Sequence, residues 1–229
     1  MPQQIGKKKF YPFLLIILVF VTSINNKIFN EKKDSFYNLD SIEVTGLNKK
    51  FNSEIEKKLN FLKNTNIFFI DGQVLIDQIN NYNFIENFNI IKFYPSKILI
   101  KLEKTEFLAK TIQNNKYFFI GSNGNFINFE KFNDEVNLPI VYGKFTTKQF
   151  LKFNKIIKNI DLDHNIINEI FFYPSGRVDI KTSNNLIIKF PLENVKEAII
   201  IANKILNNKN YNNNIIDLRV PNQLILSNE

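Results

Sequence analysis

The chain has 229 residues and a formal charge of +8, from 30 lysines and arginines against 22 aspartates and glutamates. It contains no cysteine and one histidine, which excludes disulfides, thiolate zinc sites and metal centres that need several histidines. The basic residues are nearly all lysines scattered along the chain, so the charge favours a solvated lysine surface over a nucleic-acid site.

An uncharged apolar run, Phe10–Ile24, follows the three lysines at Lys7–Lys9. The apolar character extends to Phe29, and a helix of ~20 residues from Phe10 reaches ~30 Å, the thickness of the hydrocarbon core of a bilayer. The lysines lie in the short segment before the apolar run, and positive charge keeps such a segment in the cytoplasm. The large C-terminal part is therefore predicted to lie on the other side of the membrane. The alternative is a cleaved signal peptide, whose A-x-A pattern the sequence at residues 21–25 matches poorly. The run therefore predicts a retained membrane anchor.

The first folded unit is predicted to begin with a strand and a helix. Ser41–Thr45 alternates as a strand does and stops at Gly46. A helix is predicted at Glu54–Leu62, where Ser53 and Glu56 have the spacing of a capping box.

A second helix and two strands complete this unit. The second helix is predicted to start at Asp71, whose side chain can cap it. The strands are predicted at Glu86–Phe93 and Lys97–Glu103, and three apolar residues of the second strand share one face: Ile98, Ile100 and Leu102. The order β-α-α-β-β predicts a compact α+β unit.

The remainder of the chain is predicted to be rich in strands. Ser122-Asn123-Gly124 lies between the apolar runs Lys116–Ile120 and Asn125–Phe129, and Asn-Gly in that setting is a strong hairpin signal. Leu138–Gly143 is predicted as a short edge or linking strand, because Pro139 cannot donate to a ladder.

Two helices and further strands follow. Thr146 can cap a helix with an apolar stripe at Phe150, Phe153, Ile157 and Ile160. The other predicted elements are a three-stranded meander, a second helix and two terminal segments: Ile167–Tyr173, Arg177–Thr182, Leu186–Phe190, Leu192–Asn207, Ile215–Val220 and Gln223–Leu226.

Catalytic chemistry has little support in the sequence. His164, next to Asp161 and Asp163, is the single imidazole that a Ser/His/Asp triad could use, and no G-x-S-x-G motif accompanies it. No pair of carboxylates stands in a recognisable catalytic setting. The residues therefore argue against a catalytic triad and predict no metal site, while paired-carboxylate chemistry stays open at this point.

The basic tail, the single anchor and the β-α-α-β-β unit together resemble the bacterial cell-division family FtsQ, called DivIB in other lineages. Ile42–Leu47 resembles the opening strand of the POTRA module of that family. Tyr94-Pro95 and the strand Ile98–Glu103 resemble the last hairpin of the module. Glu103–Ala109 is similar to the segment that links the two domains, although it lacks the usual proline.

The C-terminal part carries the same resemblance. Tyr117–Phe126 is similar to a family hairpin, with Gly121 where aspartate is common. Leu138-Pro139 with Gly143 matches a Leu-Pro-x-x-x-Gly element, and Ile216–Arg219 resembles the Val-Asp-Leu-Arg that closes the second domain. We expect a cytoplasmic tail at residues 1–9, a membrane anchor at 10–29 and a linker at 30–39. The POTRA domain is expected at residues 40–109, and a C-terminal antiparallel β domain with helices at 110–229.

The resemblance implies a non-enzymatic scaffold of the division machinery. Such a protein spans the inner membrane once at the septum, with its N-terminus in the cytoplasm and its folded domains in the periplasm. It joins FtsB and FtsL, helps to control septal peptidoglycan synthesis, and binds no nucleic acid, cofactor or small-molecule substrate. The family pairs its last strand with FtsB, and that strand corresponds here to Val220–Leu226.

The partner-binding residues that the resemblance implies are Arg219, Val220, Asn222, Leu224 and Leu226. Alternation would turn Leu224 and Leu226 to one face and Ile225 to the other, and one of these faces can equally be the core face. Arg219 can position the partner or pair with a surface carboxylate. Pro221 removes a donor from the edge, which counts against an interface along the whole segment.

Two other functions remain alternatives. POTRA modules also occur in periplasmic chaperone and translocation proteins, beside outer-membrane barrels. Such a barrel consists of many alternating strands of ~10 residues, and only a handful of strands follow the POTRA unit here. An anchored cell-wall hydrolase would require a catalytic constellation.

Overall fold

The computed structural model describes residues 14–19, 36–132, 137–160, 166–207, 214–220 and 223–228. The chain divides into two compact units, one of residues 1–79 with 88–102 and one of residues 80–87 with 103–229. Of the predicted anchor, residues 14–19 are described and are helical; the rest of it, the tail and most of the linker lie outside the described residues. Within the described ranges, no helix has the length and apolar character needed to span a bilayer.

The first unit has the predicted order of elements. They are β1, α1, α2, β2 and β3, at Ser41–Thr45, Lys49–Leu59, Gly72–Asn80, Ile85–Phe93 and Lys97–Lys104. The sheet order is β1-β3-β2, with β1 parallel to β3. Ile98, Ile100 and Leu102 are all buried, so the alternation predicted for the last strand is confirmed.

The start of α1 differs from the prediction. The helix begins at Lys49 and is capped by Asn48, whose side chain accepts a hydrogen bond from the Phe51 N–H at 3.0 Å. Phe51 is buried together with Ile55, so the apolar stripe begins one turn earlier than predicted, and the capping box at Ser53 is wrong. The cap predicted for α2 is confirmed, because the Asp71 carboxylate accepts from the Gln73 N–H at 2.9 Å.

The second unit is built on a nine-stranded sheet with two helices. The strands β4 to β12 are Phe107–Gln113, Lys116–Gly121, Phe126–Asn128, Ile140–Gly143, Ile167–Phe172, Val178–Thr182, Ile187–Lys189, Ile215–Asp217 and Ile225–Ser227, and the helices α3 and α4 are Thr147–Asn159 and Val195–Asn207. The order across the sheet is β12-β11-β10-β9-β8-β7-β4-β5-β6. The predicted hairpin and meander are present, and the two terminal strands are shorter than the predicted segments. The sequence missed β4, because it assigned residues up to Ala109 to the segment between the domains.

This sheet is mixed, whereas the sequence predicted an antiparallel domain. β7 is parallel to both β4 and β8, and β10 is parallel to β11. The reason is that α3 connects β7 to β8 and α4 connects β10 to β11, and a helical crossover returns the chain in the same direction.

β7 lies in the middle of the sheet and not at an edge, which corrects a second prediction. Pro139 precedes the strand, so its missing N–H removes no bond from the ladder, while its carbonyl accepts from the Lys110 N–H at 2.8 Å. At the end of β7, Gly143 has a φ of +95°, and a Cβ there would lie 1.9 Å from the Phe172 carbonyl oxygen. A side chain therefore cannot be accommodated at that position.

The core of the second unit lies between one face of the sheet and the two helices. Thr146 caps α3 through a capping box with Gln149, and Phe150, Phe153 and Ile157 of that helix are buried as predicted. Alternate residues of the central strands complete the cluster: Ile170, Phe172, Val178, Ile180, Ile188 and Ile216. The sheet has two edge strands, β12 and β6, and β12 is the one that contains a predicted partner-binding residue, Leu226.

Candidate functional site

The last strand, β12, forms one edge of the nine-stranded sheet. It pairs antiparallel with β11, with Ile216 opposite Leu226 and Asp217 opposite Ile225. Among the described strands, none pairs with the other side of β12. An edge of this kind presents backbone N–H and C=O groups to any extended segment that approaches it.

The hydrogen bonds of β11 determine which backbone groups point outward. The Leu218 N–H donates to the Lys189 carbonyl of β10 at 2.9 Å, and the Asn214 carbonyl also accepts a bond from β10 at 2.9 Å. Backbone groups alternate in direction along a strand, so the groups of Ile215 and Asp217 must face β12.

It follows that β12 uses the residues opposite these two for its ladder. Those residues are Ser227 and Ile225. By the same alternation, the N–H and C=O of Leu226 point away from β11, toward the outer edge. Leu226 is therefore the centre of the backbone surface that a further strand would meet.

The side chains near this edge divide between the core and solvent. Leu226 is half-buried and packs against the core of the unit. Ile225 and Leu224 are 44% and 42% exposed, and Leu224 precedes the strand. Leu224 thus adds exposed apolar surface next to the strand, whereas Leu226 is partly held by the core. Asn222, like Pro221, lies outside the described residues.

A groove of about 520 Å³ lies beside this edge. It is formed by the start of α4 and by the segment between β11 and β12. The apolar side chains in its wall are Leu192, Ala198, Ile201, Leu218, Val220 and Leu224. Arg219, Glu193 and Glu197 add charged groups of both signs. The groove therefore brings three of the predicted partner-binding residues together: Arg219, Val220 and Leu224.

Arg219 is paired with a carboxylate of its own chain. Its Nε lies 2.9 Å from both carboxylate oxygens of Asp217, and its backbone N–H donates to Oδ1 at 3.0 Å. These bonds hold the pKa of Asp217 below its ordinary value, against the effect of burial, and raise the pKa of Arg219. The Arg219 side chain is still 44% exposed, so it is positioned by Asp217 and remains accessible.

A row of charged residues that the sequence analysis missed crosses the same face of the sheet. Lys189 lies opposite Asp179 on one side and opposite Asp217 on the other. Asp179 is buried, and its burial raises its pKa although Arg177 Nε lies 3.2 Å from its Oδ1. The signal in the sequence is the alternation of charged with apolar residues in β9, but this pattern alone predicts a solvated face and not a buried carboxylate.

The candidate residues for a catalytic triad are not among those that the structure describes. Asp161, Asp163 and His164 lie outside the described residues. In the part of the chain that is described, no group of three or more His, Cys, Asp or Glu side chains could hold a metal ion.

Comparison with known proteins adds two family matches. Residues 37–104 match the family model described as POTRA domain, FtsQ-type, and residues 111–219 match the one described as cell division protein FtsQ/DivIB, C-terminal. The second match ends at Arg219 and does not include β12.

Two individual proteins that are similar to the chain are also named FtsQ and DivIB. The chain is 20% identical over 210 residues to "Cell division protein FtsQ" of Bradyrhizobium diazoefficiens, covering 90% of the chain and 61% of the relative. It is 29% identical over 119 residues to "Cell division protein DivIB" of Clostridium botulinum strain Hall, covering 52% of the chain and 46% of the relative. The chain thus spans about half to three-fifths of the length of these relatives.

Among solved structures, one match is the major extracytoplasmic domain of the trans isomer of DivIB from Geobacillus stearothermophilus. The TM-score is 0.34 at 12% identity, with 48% of this chain and 98% of that chain covered.

Proposed function

Because the chain belongs to the FtsQ/DivIB family of cell-division proteins, we propose that it is a non-enzymatic scaffold of the divisome that binds FtsB and FtsL. In this proposal, residues 10–29 anchor the chain in the inner membrane at the septum, residues 1–9 stay in the cytoplasm, and both folded units lie in the periplasm. There the complex helps to control septal peptidoglycan synthesis. The boundary between the POTRA domain and the C-terminal domain, expected at residues 109 and 110, would divide β4, so we propose that it lies before Phe107.

The observation that carries the partner-binding part of the proposal is the open edge at β12. Strand addition needs a row of backbone donors and acceptors, and the N–H and C=O of Leu226 point outward there. The strand begins at Ile225, four residues after Pro221, so the proline does not interrupt the part of the edge that is available.

The groove next to β12 supports the same proposal. Main-chain pairing gives affinity but little specificity, which comes from pockets that receive side chains. Val220 and Leu224 supply apolar surface in the groove, and Arg219 supplies a charge that Asp217 holds in place. We propose that a strand of FtsB pairs with β12 and that its neighbouring side chains enter this groove.

Replacing Leu226 by proline tests the backbone pairing. Leu226→Pro removes the outward N–H without removing a bond to β11, whereas Leu226→Val trims the side chain to a similar size and keeps the N–H. We expect the full-length Val variant to co-purify with the periplasmic part of FtsB, and the Pro variant to lose most of that binding.

The comparison needs both variants to be folded, which circular dichroism and thermal unfolding would establish. Equal capture of FtsB by the Pro and Val variants would contradict strand addition at β12. Retained capture after deletion of residues 223–229 would contradict it independently.

A further inference from the structure

Exposed aromatic side chains cluster at one end of the first unit. Phe69 is 82% exposed, and Phe36, Phe68 and Tyr94 are between 56% and 60% exposed. The rings of Phe36, Phe68 and Tyr94 form a continuous row through Tyr37, with centroid distances of 5.2 Å from Phe36 to Tyr37, 5.3 Å from Tyr37 to Phe68 and 4.8 Å from Phe68 to Tyr94. Phe69 adjoins this row as the residue that follows Phe68 in the chain. We call these five residues the aromatic end.

The sheet of the first unit explains why these residues meet. β1 and β3 are parallel, so the segment before β1 and the turn before β3 lie at the same end, where the Asp40 N–H donates to the Ser96 carbonyl at 2.8 Å. The loop before α2 joins them, because the Ile67 N–H donates to the Tyr37 carbonyl at 2.9 Å. Three separate segments therefore contribute to one surface.

The loop that carries Phe68 and Phe69 is held in a defined conformation. Ile67 and Ile70 are buried on either side of them and fix the loop to the core. The ammonium of Lys92 donates to the carbonyls of both isoleucines, at 3.1 and 2.8 Å. The two phenylalanines are thus directed outward by the fold itself, and a fixed, exposed apolar patch of this kind marks an interaction surface.

The position of the aromatic end along the chain indicates what it contacts. Phe36 follows Phe29, the last residue of the predicted anchor, by seven residues, which reach at most ~25 Å even when fully extended. This end of the unit must therefore stay close to the point where the anchor leaves the bilayer. The two tyrosines suit that level of a membrane because each has an apolar ring and a polar hydroxyl, and phenylalanine rings are buried at the boundary of headgroups and acyl chains.

We propose that the aromatic end docks into the headgroup region of the bilayer that holds residues 10–29. The inference rests on the anchor of the proposed function and adds a second membrane contact, made by the folded first unit. This contact would fix the orientation of the POTRA domain on the membrane surface. It would also protect apolar surface that is otherwise left in water.

The absence of tryptophan from the chain makes the test direct. Phe69→Trp places one indole in the aromatic end of the full-length protein, and Lys101→Trp places one at an exposed position as the control. Lys101 pairs with Thr45 and lies four residues along β3 from Lys97, which pairs with Ser41 at the end of the sheet next to the aromatic end. Four residues of a strand correspond to about 13 Å. Both variants are reconstituted in phosphatidylcholine–phosphatidylglycerol vesicles, with and without brominated acyl chains.

We expect the indole of the Phe69→Trp variant to emit at shorter wavelength than that of the Lys101→Trp variant. Brominated vesicles should quench most of the fluorescence of the first variant and little of the second. A Phe69→Trp chain that floats with the vesicles but keeps its fluorescence in brominated lipid overturns the docking and keeps the anchor. A chain that does not float with the vesicles overturns both the anchor and the docking.

Discussion

Asp217 and Asp179 lie on the same face of the sheet, yet their pKa values shift in opposite directions. Hydrogen bonds from Arg219 lower the pKa of Asp217, and burial raises that of Asp179. The motif Ile216–Arg219 contains the first carboxylate, and the sequence left its partner unnamed. Side chains two residues apart on a strand lie on the same face, which accounts for the pairing of Asp217 with Arg219. The burial of Asp179 could not be predicted, because it depends on which strands lie beside β9.

Asp217→Asn should reduce the stability of the second unit at neutral pH by roughly 1 kcal/mol, less than is usual for a hydrogen bond between charged groups, because Arg219 is 44% exposed to solvent. A carboxylate with a lowered pKa stabilises the folded state above its unfolded pKa, and this contribution is lost as the pH falls through the lower folded value. The difference between parent and variant should therefore shrink below about pH 4. Urea denaturation at several pH values measures it.

Asp179→Asn is the matched comparison, with the opposite sign. A carboxyl group with a raised pKa takes up its proton more readily in the folded state, so it favours folding as the pH falls from the raised value toward the unfolded one. Acidification should therefore increase the stability of the parent relative to this variant. Parallel pH profiles for the two variants would show that the two carboxylates do not differ as described.

At the scale of single elements, the edge strands β12 and β1, one from each sheet, differ in what lies beside their free edge. β12 has an edge without a partner among the described strands, whereas the edge of β1 is covered by α1. The Val44 N–H, which points away from β3, donates to Glu56 Oε1 at 3.0 Å. Periodicity predicted both α1 and β1, but it assigned Glu56 to a cap. Its actual role depends on how the helix packs across the strand, which local spacing does not contain.

Glu56→Ala should destabilise the first unit by roughly 1–2 kcal/mol, because the amide of the buried Val44 loses its acceptor away from water. Glu56→Gln keeps an oxygen at the same place and should recover most of the loss. Thermal unfolding measures the stabilities, and hydrogen exchange of the Val44 amide reports the bond itself. A Gln variant as unstable as the Ala variant would mean that the charge matters and not the hydrogen bond.

At the scale of the whole molecule, the sequence predicted two folded units and most of their elements. It did not predict the order of the strands in the second unit. The parallel pairs join segments separated by a helix or a hairpin, as in β10–α4–β11, and hydrophobic periodicity carries no information on which strand lies next to which. The open edge at β12 follows from this order, so the candidate site was predicted by resemblance to a family and could not be derived from the pattern.

The anchor gives the prediction that concerns the whole chain. The uncharged run Phe10–Ile24 and the poor cleavage pattern after it predict that the protein retains its N-terminus and resists extraction from membranes by alkaline carbonate. Leu15→Lys combined with Val19→Lys should release it, since each charge near the centre of a spanning helix costs about 2.5–3.5 kcal/mol. Mass spectrometry of the membrane fraction identifies the N-terminus, and Lys8→Gln with the run intact is the control for altered charge alone. A mature chain that begins near residue 25 would establish the signal peptide instead, and the division scaffold would then have to reach the septum through its partners.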